Sequence, residues 1–112
     1  MKKIERQINY LINNWLDCDL QDLKIESGDH KFEFVFDDVR KCYGEEYLFN
    51  KLVLTGIYYI EAAMYEDEIP FITYVGCDNN FIYADGKLID CEPCRVSLRN
   101  QIDTYLSNTS LR

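Results

Sequence analysis

The chain has 112 residues, 47% hydrophobic and 14% aromatic, with 20 acids against 12 bases and a formal net charge of −8. That length makes one domain over residues 1–112 with ample material for a core, and the aromatic content excludes a disordered chain. The negative balance argues against direct contact with nucleic acid or an anionic membrane, because like charges repel.

The stretch MKKIERQINYLINNWL has lysines at its start but no apolar run closed by small residues, so it does not read as a secretory leader. Ile4, Ile8, Leu11, Ile12, Trp15 and Leu16 recur at spacings of three and four, which predicts an amphipathic helix. Asp17 to Asp22 break that pattern. DLKIES then alternates Leu23 and Ile25 with Asp22, Lys24 and Glu26, and KFEFVFDD alternates Phe32, Phe34 and Phe36 with Lys31, Glu33 and Val35. Period two predicts two strands, and SGDH between them supplies a glycine for a hairpin turn.

The middle of the chain is ambiguous. LFNKLVLTGIYYIEAAM is interrupted by Lys51 and Glu61, so it reads as core and not as a membrane span. Val, Thr, Ile and Tyr up to Ile60 favour a strand from Lys51 to Tyr59, extendable to Met64, while IEAAM favours helix, so residues 45–66 stand open between the two. PFITYV predicts a strand opening at Pro70, DNN at Asp78–Asn80 a turn, and FIYADGKLID two short strands joined at Asp85-Gly86 by a type I′ turn. Leu98, Ile102, Tyr105 and Leu106 form the stripe of a final helix, with Pro93 at its start. The expected fold is α+β: an antiparallel sheet of about five strands with an N-terminal and a C-terminal helix packed on it.

Catalytic signatures are sparse. His30 is the only histidine and stands beside the predicted SGDH turn, a poor place for a rigid catalytic base. No glycine-rich phosphate loop occurs, and DNN lacks the spacing of a calcium loop. The five cysteines are Cys18, Cys42, Cys77, Cys91 and Cys94. An odd number without a leader points to reduced thiols and a cytoplasmic address, where the sequon at Asn108 is idle. Cys91 and Cys94 have the C-x-x-C spacing of a zinc or redox pair, but no second pair completes a zinc site. Two buried or half-buried thiols at a strand-to-helix joint is the plainer reading. The expectation is therefore no enzyme, no metal and no cofactor.

The charge layout is more informative. Residues 17–92 hold 18 acids and 6 bases, a local balance of −12, whereas residues 1–16 and 93–112 each carry +2. Unpaired charges cannot sit in a core, so these acids must project from the open sheet face, the turns and the edges. Asp37, Asp38, Glu45, Glu46, Glu66, Asp67, Glu68, Asp78 and Asp85, with Tyr65, are the candidate partner-binding residues. Tyrosines beside acids suit a protein interface, and a field of one sign steers a basic protein towards it.

In size, acidity and lack of motifs the chain resembles small DNA-mimic inhibitors, such as phage anti-CRISPR proteins, and the immunity proteins that neutralise nuclease toxins. That likeness implies a basic nuclease or nucleic-acid-binding effector as partner. A first helix followed by the KFEFVFDD strand is also similar to specialised secretion chaperones, small acidic dimeric modules, which implies a homodimer that binds a disordered segment. Plain solvation of an acidic domain accounts for the same charge without any partner.

Overall fold

The structure is a computed structural model that describes residues 1–63 and 71–109. Helix α1 (Lys3–Asn13) buries Ile8, Leu11 and Ile12 and half-buries Ile4. Lys2 caps it, with Glu5 accepting the Lys2 backbone N–H at 3.0 Å. Trp15 follows the helix and is buried edge-on against Phe34, whereas Leu16 points to solvent. A 3-10 turn (Asp17–Leu20) leads into an irregular segment.

The sheet has four antiparallel strands in sequence order: β1 (Gly28–Phe36), β2 (Leu52–Ala63), β3 (Phe71–Ala84) and β4 (Lys87–Leu88). A five-residue helix α2 (Val39–Tyr43) interrupts the β1–β2 connection, and α3 (Glu92–Asn108) closes the chain. Both terminal helices lie on one side, with α3 packed between α1 and β3. The α+β class and the paired helices are as the sequence implies.

Three local expectations are corrected. Residues 22–27 form no strand, because Tyr58 captures the backbone of Lys24: its hydroxyl accepts the Lys24 N–H at 2.7 Å and donates to the Lys24 carbonyl at 3.1 Å. His30 consequently lies inside β1 and not at a hairpin tip; its ring stacks on Tyr58 at 5.1 Å. Residues 78–80 make no turn. They form a bulge inside one long strand, with Asn79 at φ 51° and the Asn80 amide donating to the Arg95 carbonyl of α3 at 3.1 Å. Of the ambiguous residues 45–66, Leu52–Ala63 are strand, 45–51 are irregular and 64–66 lie outside the described residues; the short helix Val39–Tyr43 precedes them. The Asp85-Gly86 turn forms as expected, with both residues at positive φ.

The core sits between the sheet and the helices. Leu52, Leu54, Tyr58 and Ile60 of β2, with Cys77, Ile82 and Ala84 of β3, face Ile8, Ile12, Leu98, Ile102 and Leu106. Cys91 caps α3, its sulfur accepting the Cys94 N–H at 3.3 Å. Both cysteines are buried and their sulfurs are bonded to each other, which corrects the expectation of reduced thiols at this pair.

Candidate functional site

The helices cover one face of the sheet, so period two puts every second strand residue on the other. The registers arrange these into rows. Val35, Val53, Tyr83 and Leu88 pair successively across all four strands. Glu33, Thr55 and Phe81 form the next row, followed by Lys31, Ile57 and Asp78, then Asp29, Tyr59 and Gly76, and finally Glu61 with Tyr74. Val35, Leu88, Phe81 and Tyr74 are 43%, 58%, 47% and 51% exposed. This is an apolar and aromatic stripe running across the sheet, bordered by exposed Asp29, Glu33, Glu61 and Asp78, with Lys31 as the one cation among these positions.

The upper part of the face is ordered by a tyrosine pair. Tyr59 and Tyr74 lie 5.6 Å apart by ring centroid, and their hydroxyls are 3.3 Å apart. Tyr59 lies flat over Gly76, where any Cβ would meet its ring and hydroxyl. The hydrogen bond to Tyr74 raises the Tyr59 pKa to about 12, helped by burial and by the nearby charges of Tyr74, Asp78 and Asp103. This hydroxyl is therefore neutral at any physiological pH.

Beneath Asp78, a cavity of about 460 Å³ opens between the β3 bulge and the start of α3. Asp78, Asn79, Phe81, Leu88, Arg95 and Arg99 line it. Arg95 is committed to Asp90 at 2.7 Å and Glu92 at 2.6 Å. Burial, with Asp103 and Asp78 adding to it, pushes the Cys77 thiol up to about 12, so no thiolate forms there at neutral pH. Burial likewise raises the Asp103 carboxyl, against the pull of Arg99, and its Oδ1 is buried without a hydrogen-bond partner among the described residues.

The sequence-predicted residues fall into separate groups. Asp37, Asp38, Glu45, Glu46 and Asp85 all lie at the end of the sheet where β1 finishes, β2 begins and β3 ends. Asp38 and Glu45 line a shallow cavity of about 800 Å³ together with Arg40 and Lys41, so that end carries both signs. Asp85 serves the backbone, since its carboxylate accepts the N–H groups of Lys51 at 2.9 Å and Asn50 at 3.0 Å. Those bonds hold it below the usual carboxylate range, with Arg40 assisting. Asp78 stands apart, in the middle of β3. Tyr65, Glu66, Asp67 and Glu68 lie outside the described residues.

Candidate residues not singled out from the sequence are Asp29, Glu33, Glu61, Val35, Phe81 and Leu88. Their signal was the solvent side of the strand alternation, already visible for Lys31, Glu33 and Val35, but which outward positions become neighbours depends on register. No protein-family model, no curated protein and no solved structure matches the chain. No helix among the described residues is long and apolar enough to cross a membrane.

Proposed function

We propose that this chain is a small cytoplasmic inhibitor that works by binding, and that it occupies the nucleic-acid-binding surface of a basic protein such as a nuclease or a guided effector. It takes no nucleic acid, membrane or cofactor itself. The observation that supports this is the open sheet face: an apolar and tyrosine-bearing stripe bordered by four carboxylates and one lysine. Interfaces combine an aromatic centre with a polar rim, and here the rim has the sign that a phosphate backbone would present to a basic groove. The acids at the β1–β2 end and the Tyr65–Glu68 stretch, the latter outside the described residues, are further candidate partner-binding residues. The DNA-mimic and immunity-protein class is the one this chemistry fits. The secretion-chaperone likeness implies a central helix used for dimerisation, and the one α-helix between α1 and α3 among the described residues is the five-residue α2, so that reading gains no such support.

The test is inhibition of purified basic nucleases and guide-RNA effectors, measured as loss of nucleic-acid binding at low and at physiological salt. The triple variant Glu33→Lys, Glu61→Lys, Asp78→Lys should remain folded and lose at least tenfold in affinity, about 1.4 kcal/mol. A second triple variant, Glu66→Lys, Asp67→Lys, Glu68→Lys, reports separately on that stretch. Full inhibition by both folded variants would refute the reading.

A further inference from the structure

β1 is an edge strand: among the described residues no strand pairs with its outer side. It pairs with β2 along all nine residues without a bulge, and no backbone hydrogen bond outside that ladder involves Gly28–Phe36 among the described residues. Asp22–Lys24 does not close this edge. The buried Tyr58 holds the Lys24 backbone, and the segment makes no backbone hydrogen bond to β1; the two line a common cavity of about 390 Å³. A long, regular, open edge is a template for another strand, and proteins that keep such an edge free usually blunt it. The opposite edge of the sheet is blunted: β3 carries irregularities at Asn79–Asn80 and near Thr73, and β4 covers only Tyr83 and Ala84. β1 has neither a bulge nor a short span; the charges it carries, Asp29, Lys31 and Glu33, would blunt it against an unmatched strand but are complementary to a second copy of β1.

We propose that β1 pairs antiparallel with β1 of a second copy, around a two-fold axis at Phe32, giving one eight-stranded sheet. The charge pattern selects this occupant and this register. The outward residues read Asp29, Lys31, Glu33, Val35. With Phe32 opposite itself, Lys31 of each copy faces Glu33 of the other, and Asp29 faces Val35. Sliding so that Lys31 is central sets lysine against lysine and Asp29 against Glu33. Centring on Glu33 sets glutamate against glutamate. Centring on His30 satisfies the charges, but it leaves only five residues of each strand paired. Phe32 is also the midpoint of Gly28–Phe36, so the favoured register uses the whole strand. Opposite charges facing each other across a ladder stabilise it and like charges destabilise it, and the self-complementary patch is what a closed two-fold dimer requires. On the core side the same register places His30 opposite Phe34 and continues the Phe32–Phe34 stack across the interface. Each copy carries −8, which opposes association. β1 is where this opposition is weakest, because its own balance is −1.

This interface shares Lys31, Glu33 and Val35 with the open face, but the pairing does not require the inhibitor reading, and its test needs no partner protein. Sedimentation equilibrium at about 0.15 M salt, where distant charges are screened, should find a reversible dimer of the unmodified chain. Lys31→Glu and Glu33→Lys each turn two attractive pairs into two repulsive ones by symmetry. Each should raise the dimer dissociation constant by roughly tenfold or more. The double variant Lys31→Glu, Glu33→Lys restores opposite charges and should restore the dimer. Circular dichroism monitors folding of all three, and both side chains are exposed. A chain that stays monomeric to sub-millimolar concentration overturns the proposal. So does a dimer indifferent to both single changes, or a double variant no stronger than the singles.

Discussion

Tyr58→Phe isolates the contact that fixes the irregular segment between α1 and β1. The ring is 1% exposed and packs against His30 and Phe32, so phenylalanine fills the same space and opens no cavity. What disappears is the hydroxyl, with one hydrogen bond donated to the Lys24 carbonyl and one accepted from the Lys24 N–H. Each such bond is worth about 0.5–1.5 kcal/mol net, and a backbone group left without a partner costs more. Lys24 itself is exposed, so water can replace part of the loss. The expected destabilisation is therefore about 1–2 kcal/mol, read as a lower urea midpoint with an unchanged slope. Tyr59→Phe on the open face is the control, expected to cost less than about 0.5 kcal/mol because its hydroxyl meets only Tyr74 at the surface. The pH dependence has a definite sign. Burial raises the Tyr58 pKa above 10, against the opposing hydrogen bond from Lys24. A raised pKa contributes stability that is fully present below the unfolded value of about 10 and lost as pH rises through the folded one. Tyr58→Phe should remove that part of the alkaline loss, leaving the parts due to Tyr47, Tyr59 and Cys77. Equal stability of Tyr58→Phe and Tyr59→Phe would show that the Lys24 contacts do not hold the segment.

Two further substitutions test the frame around the face. Asp85→Asn keeps a residue that tolerates the left-handed turn but removes the charge that accepts the Lys51 and Asn50 N–H groups; discounted for exposure, the loss should be about 0.5–1 kcal/mol at pH 7. Because the folded pKa is depressed, that difference should be present above about pH 4 and vanish as pH falls through the folded value, which acid unfolding of the two proteins compares directly. Gly56→Ala would place a Cβ 2.7 Å from Phe32 Cζ and 3.0 Å from the Asn80 backbone, so a loss of about 1–3 kcal/mol in urea unfolding is expected, and a neutral outcome would mean that the bulge yields freely.

Local chemistry explains which elements could be read from the sequence. The α1 stripe from Ile4 to Ile12, the α3 stripe and the Asp85-Gly86 turn rest on periodicity or on residues with few backbone options, and each formed, although α1 stops before Trp15 and leaves Leu16 exposed; the strand leaning of Lys51–Tyr59, open against helix in the sequence, became Leu52–Ala63. The misread stretches are those where a distant group captured a local one. Leu23 and Ile25 alternate as in a strand, but the hydroxyl of Tyr58, 34 residues on from Lys24, takes the backbone that a ladder would have used. Asp78-Asn79-Asn80 has turn composition, but an amide donor to α3 makes continuing the strand with a bulge the better solution. The acidic balance was legible and its distribution was not. Asp85 is consumed in a turn, and Asp38 and Glu45 share their surroundings with Arg40 and Lys41.

What remains on the open face follows from where the cations go. The two ion pairs among the described residues both use Arg95, tying Asp90 and Glu92 to the entry of α3. Arg40, an exposed residue, donates from Nε to the Tyr47 carbonyl at 3.0 Å. Asp29, Glu33 and Glu61 enter no ion pair among the described residues, so their field is left open, whereas Asp78 lines a cavity with Arg95 and Arg99. At physiological ionic strength that field reaches about 8 Å, far enough to orient an approaching cationic surface but not to hold it. Holding falls to the stripe from Val35 to Leu88 and to Phe81, whose contact with a partner is short-ranged and indifferent to salt. For a partner bound on this face, added salt should therefore slow association much more than it speeds dissociation. A dissociation rate that climbed with salt as steeply as association fell would locate the binding energy in the carboxylates and leave the apolar stripe without a role.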